Sequence, residues 1–302
     1  MINFFEKLYF NPKGLDWIVI YSLLPISFIY ALIVYLKNLS SKPTDYGIKI
    51  ISIGNITVGG SGKTPFAIEL IKNIKDKKIY YISRGYGRKS KGLVEVKHNN
   101  KILCSVEDSG DEAMLVAKEC NCDVVVSEDR IKAIKLAKKR GANLIILDDA
   151  FSKTKIKKFD ILLEPKEIKN YFPLPAGPLR EFYFSKKRAD LILKEDVDFI
   201  REVECINCND QLLLVTAISN PKRLDKYLPN NLVGKIYLKD HSYFNKTEIL
   251  KKLKAYNAKR LLVTQKDFVK LEKFKFPIAL LKLKLRIKNE HLKKIEDNLN
   301  AK

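Results

Sequence analysis

The longest uninterrupted apolar stretch lies near the start of the chain. From Trp17 to Leu36, 20 residues (WIVIYSLLPISFIYALIVYL) carry no charge. A helix of that length is about 30 Å long, the depth of a bilayer's hydrocarbon core. Pro25 kinks such a helix without excluding it. Trp17 and Tyr35 stand near its two ends, where aromatic side chains meet the membrane interface. No small-residue cleavage site follows, so the run reads as a membrane-associated helix within residues 1–40 and not as a cleaved leader.

Beyond it the pattern changes to short apolar runs alternating with stretches of helical period. Ile48–Gly54, Lys78–Gly87, Cys122–Ser127 and Ala142–Asp149 read as strands, the last a continuous apolar run of the kind buried on both faces. Pro65–Ile74, Gly110–Cys120 and Asp129–Arg140 read as helices between them. Such alternation predicts a mostly parallel sheet covered on both sides. A Pro-rich loop, FPLPAGPLRE, spans Phe172–Glu181. A second alternation then begins: strands in Gln211–Ile218, Gly234–Phe244, Lys259–Asp267 and Phe276–Ile287, with a helix at Lys246–Ala255. The expected organisation is a large α/β domain over 41–210 and a smaller α/β domain over 211–302.

Composition sharpens the choice of partner. In 302 residues, 57 Lys and Arg face 35 Asp and Glu, a formal charge of +22, which favours anionic partners. The lysines are scattered, and no basic–aromatic clusters of the nucleic-acid-binding kind occur, so nucleic acid is not an expected partner. The five cysteines are odd in number and lack paired C-x-x-C units. They read as reduced thiols, with Cys205 and Cys208 only a weak signal.

The chemistry concentrates at the ends of the apolar runs. In GNITVGGSGKTP (Gly54–Pro65), Gly59, Gly60 and Gly62 free the backbone to turn its N–H groups toward one anion, and the following helix adds its positive end. Lys63 reaches toward phosphates and Thr64 toward Mg²⁺. This is a phosphate-binding loop, and the fold it implies is P-loop NTPase-like. Thr57 stands where the common pattern has glycine. Asp148 and Asp149 end a strand at the sheet edge where ligands bind, and one of them completes the metal site; without the loop they would read as a turn. SRGYGR places Arg84 and Arg88 after another strand, within reach of phosphates. Asp111 and Glu112 open a helix, a position that ordinarily just complements the dipole. His241 lies in KDHSYF, and a carboxylate–imidazole pair suits removal of a hydroxyl proton.

Taken in order, GNITVGGSGKTP, SRGYGR, GDEAML, EDR, LDDAF, LPAGPLRE, KDHSYF and VTQKD resemble the tetraacyldisaccharide 4′-kinases, the lipid A 4′-kinases of Gram-negative bacteria, over nearly the whole chain. That family has Thr at the position of Thr57. The resemblance implies an ATP- and Mg²⁺-dependent lipid kinase acting on an acylated disaccharide 1-phosphate at the inner membrane, with its body facing the cytoplasm and its basic surface toward anionic lipid. It implies that Thr57, Gly59, Gly60, Ser61, Gly62, Lys63 and Thr64 hold the nucleotide, and that Thr64 and Asp149 hold the metal. Asp111 is then the general base, aided by His241, while Lys63, Asp148 and Asp149 serve the transfer. Arg84, Tyr86, Glu112, Arg130, Arg180 and Glu181 line the substrate region. One departure stands out: Ala150-Phe151-Ser152-Lys153 replaces the family's Gly-Phe-Gln-His. A membrane-tethered GTPase or metallochaperone-like switch is the alternative, since VTQKD faintly resembles the guanine-reading Asn-Lys-x-Asp with the wrong spacing. A tethered nucleic-acid ATPase rests on charge alone.

Overall fold

The computed structural model describes residues 4–59 and 62–301; Gly60 and Ser61 of the expected phosphate loop lie outside the described residues. The first part of the chain forms strands β1 (Lys49–Gly54), β2 (Ile79–Ser83), β3 (Val94–His98), β4 (Lys101–Ile102), β5 (Asp123–Val126), β6 (Leu144–Asp148), β7 (Phe159–Glu164) and β8 (Leu191–Lys194). They make one eight-stranded sheet in the order β4-β3-β5-β2-β6-β1-β7-β8. All neighbours from β5 to β8 are parallel, and β3 and β4 close one edge antiparallel. The central strands β1, β2 and β6 are apolar at nearly every position because both faces are covered.

The preceding helices are α1 (Phe4–Phe10), α2 (Asp16–Ser22) and α3 (Leu24–Leu39). Between the sheet strands lie α4 (Lys63–Asn73), α5 (Val106–Ser109), α6 (Asp111–Glu119) and α7 (Arg130–Lys139). The sides of α4 and α6 pack on one face of the sheet, burying Phe66, Leu70, Met114 and Val116 against Ile51, Ile53 and Val124. The opposite face carries α7 through Ala133, Ile134 and Ala137. Asp129 starts α7 by accepting the Ile131 and Lys132 N–H groups, an N-cap the sequence signals.

A second sheet contains β9 (Phe199–Ile206), β10 (Leu212–Thr216), β11 (Leu232–Tyr237), β12 (Arg260–Thr264) and β13 (Ile278–Ile287), in the order β11-β10-β12-β13-β9. Helices α8 (Lys246–Ala255), α9 (Gln265–Leu271) and α10 (Asn289–Asn300) complete the chain. A boundary at 210/211 would cut β9 from its antiparallel partner β13. It would also separate α10 from the core it joins. Ile295 and Leu299 of α10, with Leu285 and Ile287 of β13, are buried in the same cluster as Ile51 and Phe66. The last helix therefore returns to the first sheet.

Three local expectations change. VTQKD does not end a strand: β12 stops at Thr264, whose side chain accepts the Asp267 N–H, so Lys266 and Asp267 lie in the first turn of α9. Cys205 and Cys208 are not reduced thiols but are paired as a disulfide, across a turn in which Asn207 takes a φ of 60°. The apolar run Trp17–Leu36 is not one helix. Pro25, in the first turn of α3, has no N–H to donate, and the ladder breaks at Leu23 with a 52° bend. Among the described residues no single helix is long and apolar enough to cross a membrane, although the bent pair passes by length and composition.

Candidate active site

The two motif-bearing loops meet because β1 and β6 are neighbours, in a register that pairs Ile53 with Asp148. The chain leaves β1 through Asn55, whose amide donates to the Thr57 carbonyl at 2.8 Å and to its hydroxyl at 3.1 Å. Thr57 is buried and bridges Leu179, while Val58 N–H donates to the Pro178 carbonyl at 2.8 Å. Thr57 therefore pins the phosphate loop to the Pro-rich loop, and it is not among the residues with positive φ, so glycine is not needed there. Gly59 and Gly62 do have φ of 95° and 80°, and Gly62 is the cap from which α4 starts. The α4 N-terminus, the positive end of its dipole, thus points at the site.

Lys63 donates to Asn55 Oδ1 at 3.1 Å and lies 3.4 Å from Asp149 Oδ1. The Thr64 hydroxyl faces Asp148 Oδ2 at 3.4 Å. Expectation assigned the metal-side carboxylate to Asp149; the geometry puts Asp148 beside Thr64. Asp149 is instead gripped by Arg180, whose Nη1 donates to both carboxylate oxygens at 3.0 and 3.1 Å. Together with Lys63, Arg180 draws the Asp149 carboxyl below its usual range against the opposing effect of burial. Asp149 also holds a φ of 49°, a costly position for a non-glycine residue that its backbone bond to Ile53 helps retain.

Asp148 behaves differently. Burial pushes its carboxyl up to about 6, Glu112 adds to the rise, and Lys63 opposes it. Tyr81 donates to its Oδ2 at 2.5 Å, and its buried Oδ1 has no hydrogen-bond partner among the described residues. A hydroxyl beside an orphaned carboxylate oxygen is a hard-oxygen pair of the kind Mg²⁺ takes. Among the described residues no group of three His, Cys, Asp or Glu could hold a metal alone.

The second half of the site comes from both sheets. Asp111, buried at the start of α6, accepts from His241 Nδ1 at 3.0 Å. His241 Nε2 faces the Lys266 ammonium at 3.3 Å. A lysine can only donate, so His241 Nε2 is placed to accept from it and Nδ1 to donate to Asp111. His241 thus orients the carboxylate. Tyr86 packs against the imidazole with ring centroids 4.8 Å apart and the ring planes tilted by 57°. Gly87 allows that approach, since a side chain there would meet the His241 Cβ, and Gly110 passes equally close under the Tyr86 carbonyl. Lys266 also binds Glu112 at 3.1 Å. The Glu112 charge acting on Asp148 ties this pair to the phosphate side.

Other expected residues sort themselves by partner. Arg130 is buried and donates to the Ser127 and Asp148 carbonyls, so it braces the end of β6. Arg88, expected within reach of phosphate, is taken by Glu128 and the Gly92 carbonyl. Glu181 is buried and holds Arg188 and Asn38, linking the Pro-rich loop to α3 and not lining an open surface. Arg84 is exposed. Lys153 stands near Arg130, Arg84 and Lys37; burial first, and then those like charges, depress its ammonium pKa.

Sequence reasoning missed Asn55, Tyr81, Lys266, Lys270 and Arg201. The Arg201 guanidinium, on β9, lies where a Gly62 side chain would stand. Asn55 and Lys266 sit inside the quoted motifs GNITVGGSGKTP and VTQKD; Tyr81 reaches Asp148 through the pairing of β2 with β6, and Lys270 and Arg201 become neighbours of the site only when the second sheet packs on the first.

A sequence model of the Tetraacyldisaccharide-1-P 4'-kinase family matches residues 19–207 and 200–300. A relative from Helicobacter acinonychis, called Tetraacyldisaccharide 4'-kinase, is 42% identical over 297 residues, covering 97% of this chain and 94% of its own. One of the same name from Aliarcobacter butzleri is 46% identical over 278 residues, covering 89% and 87%. Among solved structures, an "apo" form of LpxK from Aquifex aeolicus in complex with ATP superposes with a TM-score of 0.79 at 29% identity. It covers 94% of this chain and 100% of that one.

Proposed function

The chain belongs to the tetraacyldisaccharide-1-P 4'-kinase family, and from that membership we propose how its site performs the transfer and where in the cell it does so. The reaction moves a phosphoryl group from ATP to the 4′-hydroxyl of a tetraacyldisaccharide 1-phosphate, a step of lipid A biosynthesis. This displaces the GTPase, metallochaperone and nucleic-acid ATPase alternatives.

The observation that carries the site reading is the meeting of the two halves. The α4 N-terminus with Lys63 and the Asp148–Asp149 pair stand on one side, and the Asp111–His241 pair on the other, joined through Glu112. The backbone N–H groups and Lys63 cradle the ATP phosphates. Thr64 and Asp148 would hold Mg²⁺, which neutralises phosphate charge when bound. Lys63 and Arg180, already drawn together on Asp149, are the cations placed to meet the developing charge. Asp111 accepts the proton of the attacking hydroxyl while His241 holds it in line. Arg84 and Lys153 are the cations left facing the substrate side.

The membrane is met through α1–α3. Leu15, Ile18, Ile33 and Leu39 are between 62% and 79% exposed on these helices, and Phe28 and Tyr35 continue the apolar surface onto Phe182 and Phe184. An apolar face of this kind lies in the interface plane of a bilayer. The loop carrying Arg180 is attached directly to it, since Ser27 Oγ accepts the Ala176 N–H at 2.9 Å. The substrate's acyl chains then stay in the inner leaflet of the inner membrane, and the body faces the cytoplasm, where ATP is. Anionic lipid adds about 1 kcal/mol per nearby Lys or Arg.

The test is phosphorylation of tetraacyldisaccharide 1-phosphate with ATP against GTP, using the parent and Lys63→Ala. Turnover with ATP that falls by ~100-fold or more in a folded Lys63→Ala protein is expected. Near-parental activity in that variant would reject the phosphate-side assignment.

A further inference from the structure

Beneath the Asp111–His241 pair lies an ion cluster that the transfer reading does not use. Lys270, on α9, is almost fully buried, with its side chain 1% exposed. Its ammonium lies 3.2 Å from Asp111 Oδ2 and 3.6 Å from Asp267 Oδ1, and it donates to the Ser242 carbonyl at 3.1 Å. The ammonium also lies 5.2 Å from the centroid of the Phe244 ring. Asp267 is itself immobilised. It accepts from the Thr216 hydroxyl at 2.6 Å, the Thr264 hydroxyl at 2.8 Å and the Ala217 N–H at 3.0 Å.

We propose that Lys270 is a positioning residue for the transfer reaction, anchored by Asp267 so that its ammonium fixes the orientation and charge of the Asp111 carboxylate. The inference rests on reading Asp111 as the proton acceptor. Burying a charge is costly unless it is paired and bonded, and a buried ion group is a poor way simply to stabilise a fold. Here the anchor binds β10, β12 and α9 together, and the free end meets the reactive carboxylate. Asp111 Oδ1 accepts from His241, and Oδ2, which has no hydrogen-bond partner among the described residues, faces the Lys270 ammonium as an ion pair, so both carboxylate oxygens are met from the second sheet.

The charges around Asp111 come from several sides. The loop after β11 brings His241, Asp240 and Tyr243; α9 brings Lys266, Asp267 and Lys270. Its own helix adds Glu112, which is bound to Lys266. Neighbouring α5 adds Glu107, bound to Lys273, and Asp108, bonded to Ser105. Burial raises the Asp111 carboxyl, but His241, Lys266 and Lys270 together bring it below its usual range. Removing the Lys270 charge leaves burial less opposed, so Asp111 protonates at higher pH. Removing the Asp267 charge frees Lys270 for Asp111 and acts in the opposite direction.

The experiment compares kcat and kcat/KM against pH, with ATP affinity measured separately, for the parent, Lys270→Met, Lys270→Arg, Asp267→Asn and Asp111→Asn. Lys270→Met is expected to lose ~10-fold or more in kcat with unchanged ATP affinity. Its acid limb should move up by about one pH unit or more, and Lys270→Arg should restore most of both. Asp267→Asn should leave that limb in place or move it down. A Lys270→Met limb that overlies the parent's overturns the proposal even if activity falls, because lost packing alone does not move it. Should Lys270→Met fail to fold, an upward shift in Asp267→Asn overturns it instead. Full activity in Asp111→Asn would sink the reading of Asp111 itself, which is a separate result.

Discussion

Asp148 carries two demands at once. Its Oδ2 takes the Tyr81 hydroxyl while its Oδ1 is buried without a hydrogen-bond partner among the described residues, and its carboxyl is pushed up to about 6. A folded-state pKa above the ordinary 3.8 means that the native protein binds this proton more tightly than the unfolded chain. Stability therefore falls as pH rises from about 4 to about 6 and stays reduced above that. Asp148→Asn removes that cost, up to about 3 kcal/mol. Thermal melts with chelator and without nucleotide should show the variant more stable than the parent at pH 7.5, with the gap closing below pH 4. A constant gap would show that its charge is not the cause. The Asp111–His241 pair calls for a double-mutant cycle. Since His241 acts through Asp111, the two alanine variants together should lose little more kcat than the worse single one. Additive losses would separate their roles.

Helices α1–α3 show why an element cannot be judged by one face. Leu8, Ile20 and Ala176 are fully buried where these helices cover the Pro-rich loop, while Ile18 and Ile33 face outward. Deleting the segment would strip the Ser27 and Asn38 contacts from the loop that carries Arg180, so loss of activity in such a truncation would not isolate the membrane. Outward substitutions do. Ile18→Glu with Ile33→Glu leaves the covered face untouched and should abolish sedimentation with vesicles of mixed phosphatidylethanolamine and phosphatidylglycerol. Activity on a short-chain, micellar substrate should persist. Retained vesicle binding would place the membrane contact elsewhere.

At the scale of the molecule, the two sheets share one core. Phe199 of β9 meets Phe66 of α4 edge to face, with ring centroids 5.7 Å apart, and α10 returns to the first sheet, where Lys49 donates to the Ala301 carbonyl at 2.7 Å. A fragment of residues 1–210 thus keeps β9 without its partner β13 and leaves Ile51, Ile53 and Phe66 uncovered on that side. It should express as aggregate or give a collapsed amide spectrum, whereas a fragment that folds cooperatively would show the halves to be independent. The disposition also explains the active site. The proposed proton acceptor, Asp111, packs with the first sheet, and the groups that meet it, His241, Lys266 and Lys270, belong to the second.

What the sequence determined by itself was whatever depends on neighbours along the chain. Continuous apolar runs made β1, β2 and β6, the Asp129 cap started α7, and glycines at 59 and 62 made the left-handed turns that lead into α4 at Lys63 and Thr64. The order of motifs was enough to identify the family. Tertiary structure decided what depends on groups far apart in sequence. Asp148 rather than Asp149 reached Thr64 because β6 and β1 pair in a particular register. Arg88 and Glu181 left the substrate side because Glu128, Arg188 and Asn38 claimed them. The VTQKD lysine joined the site because Thr264 capped a helix instead of extending a strand. Periodicity reports which residues avoid water, but a charged side chain's role is set by the partner that arrives when the sheets close, and no local pattern names that partner.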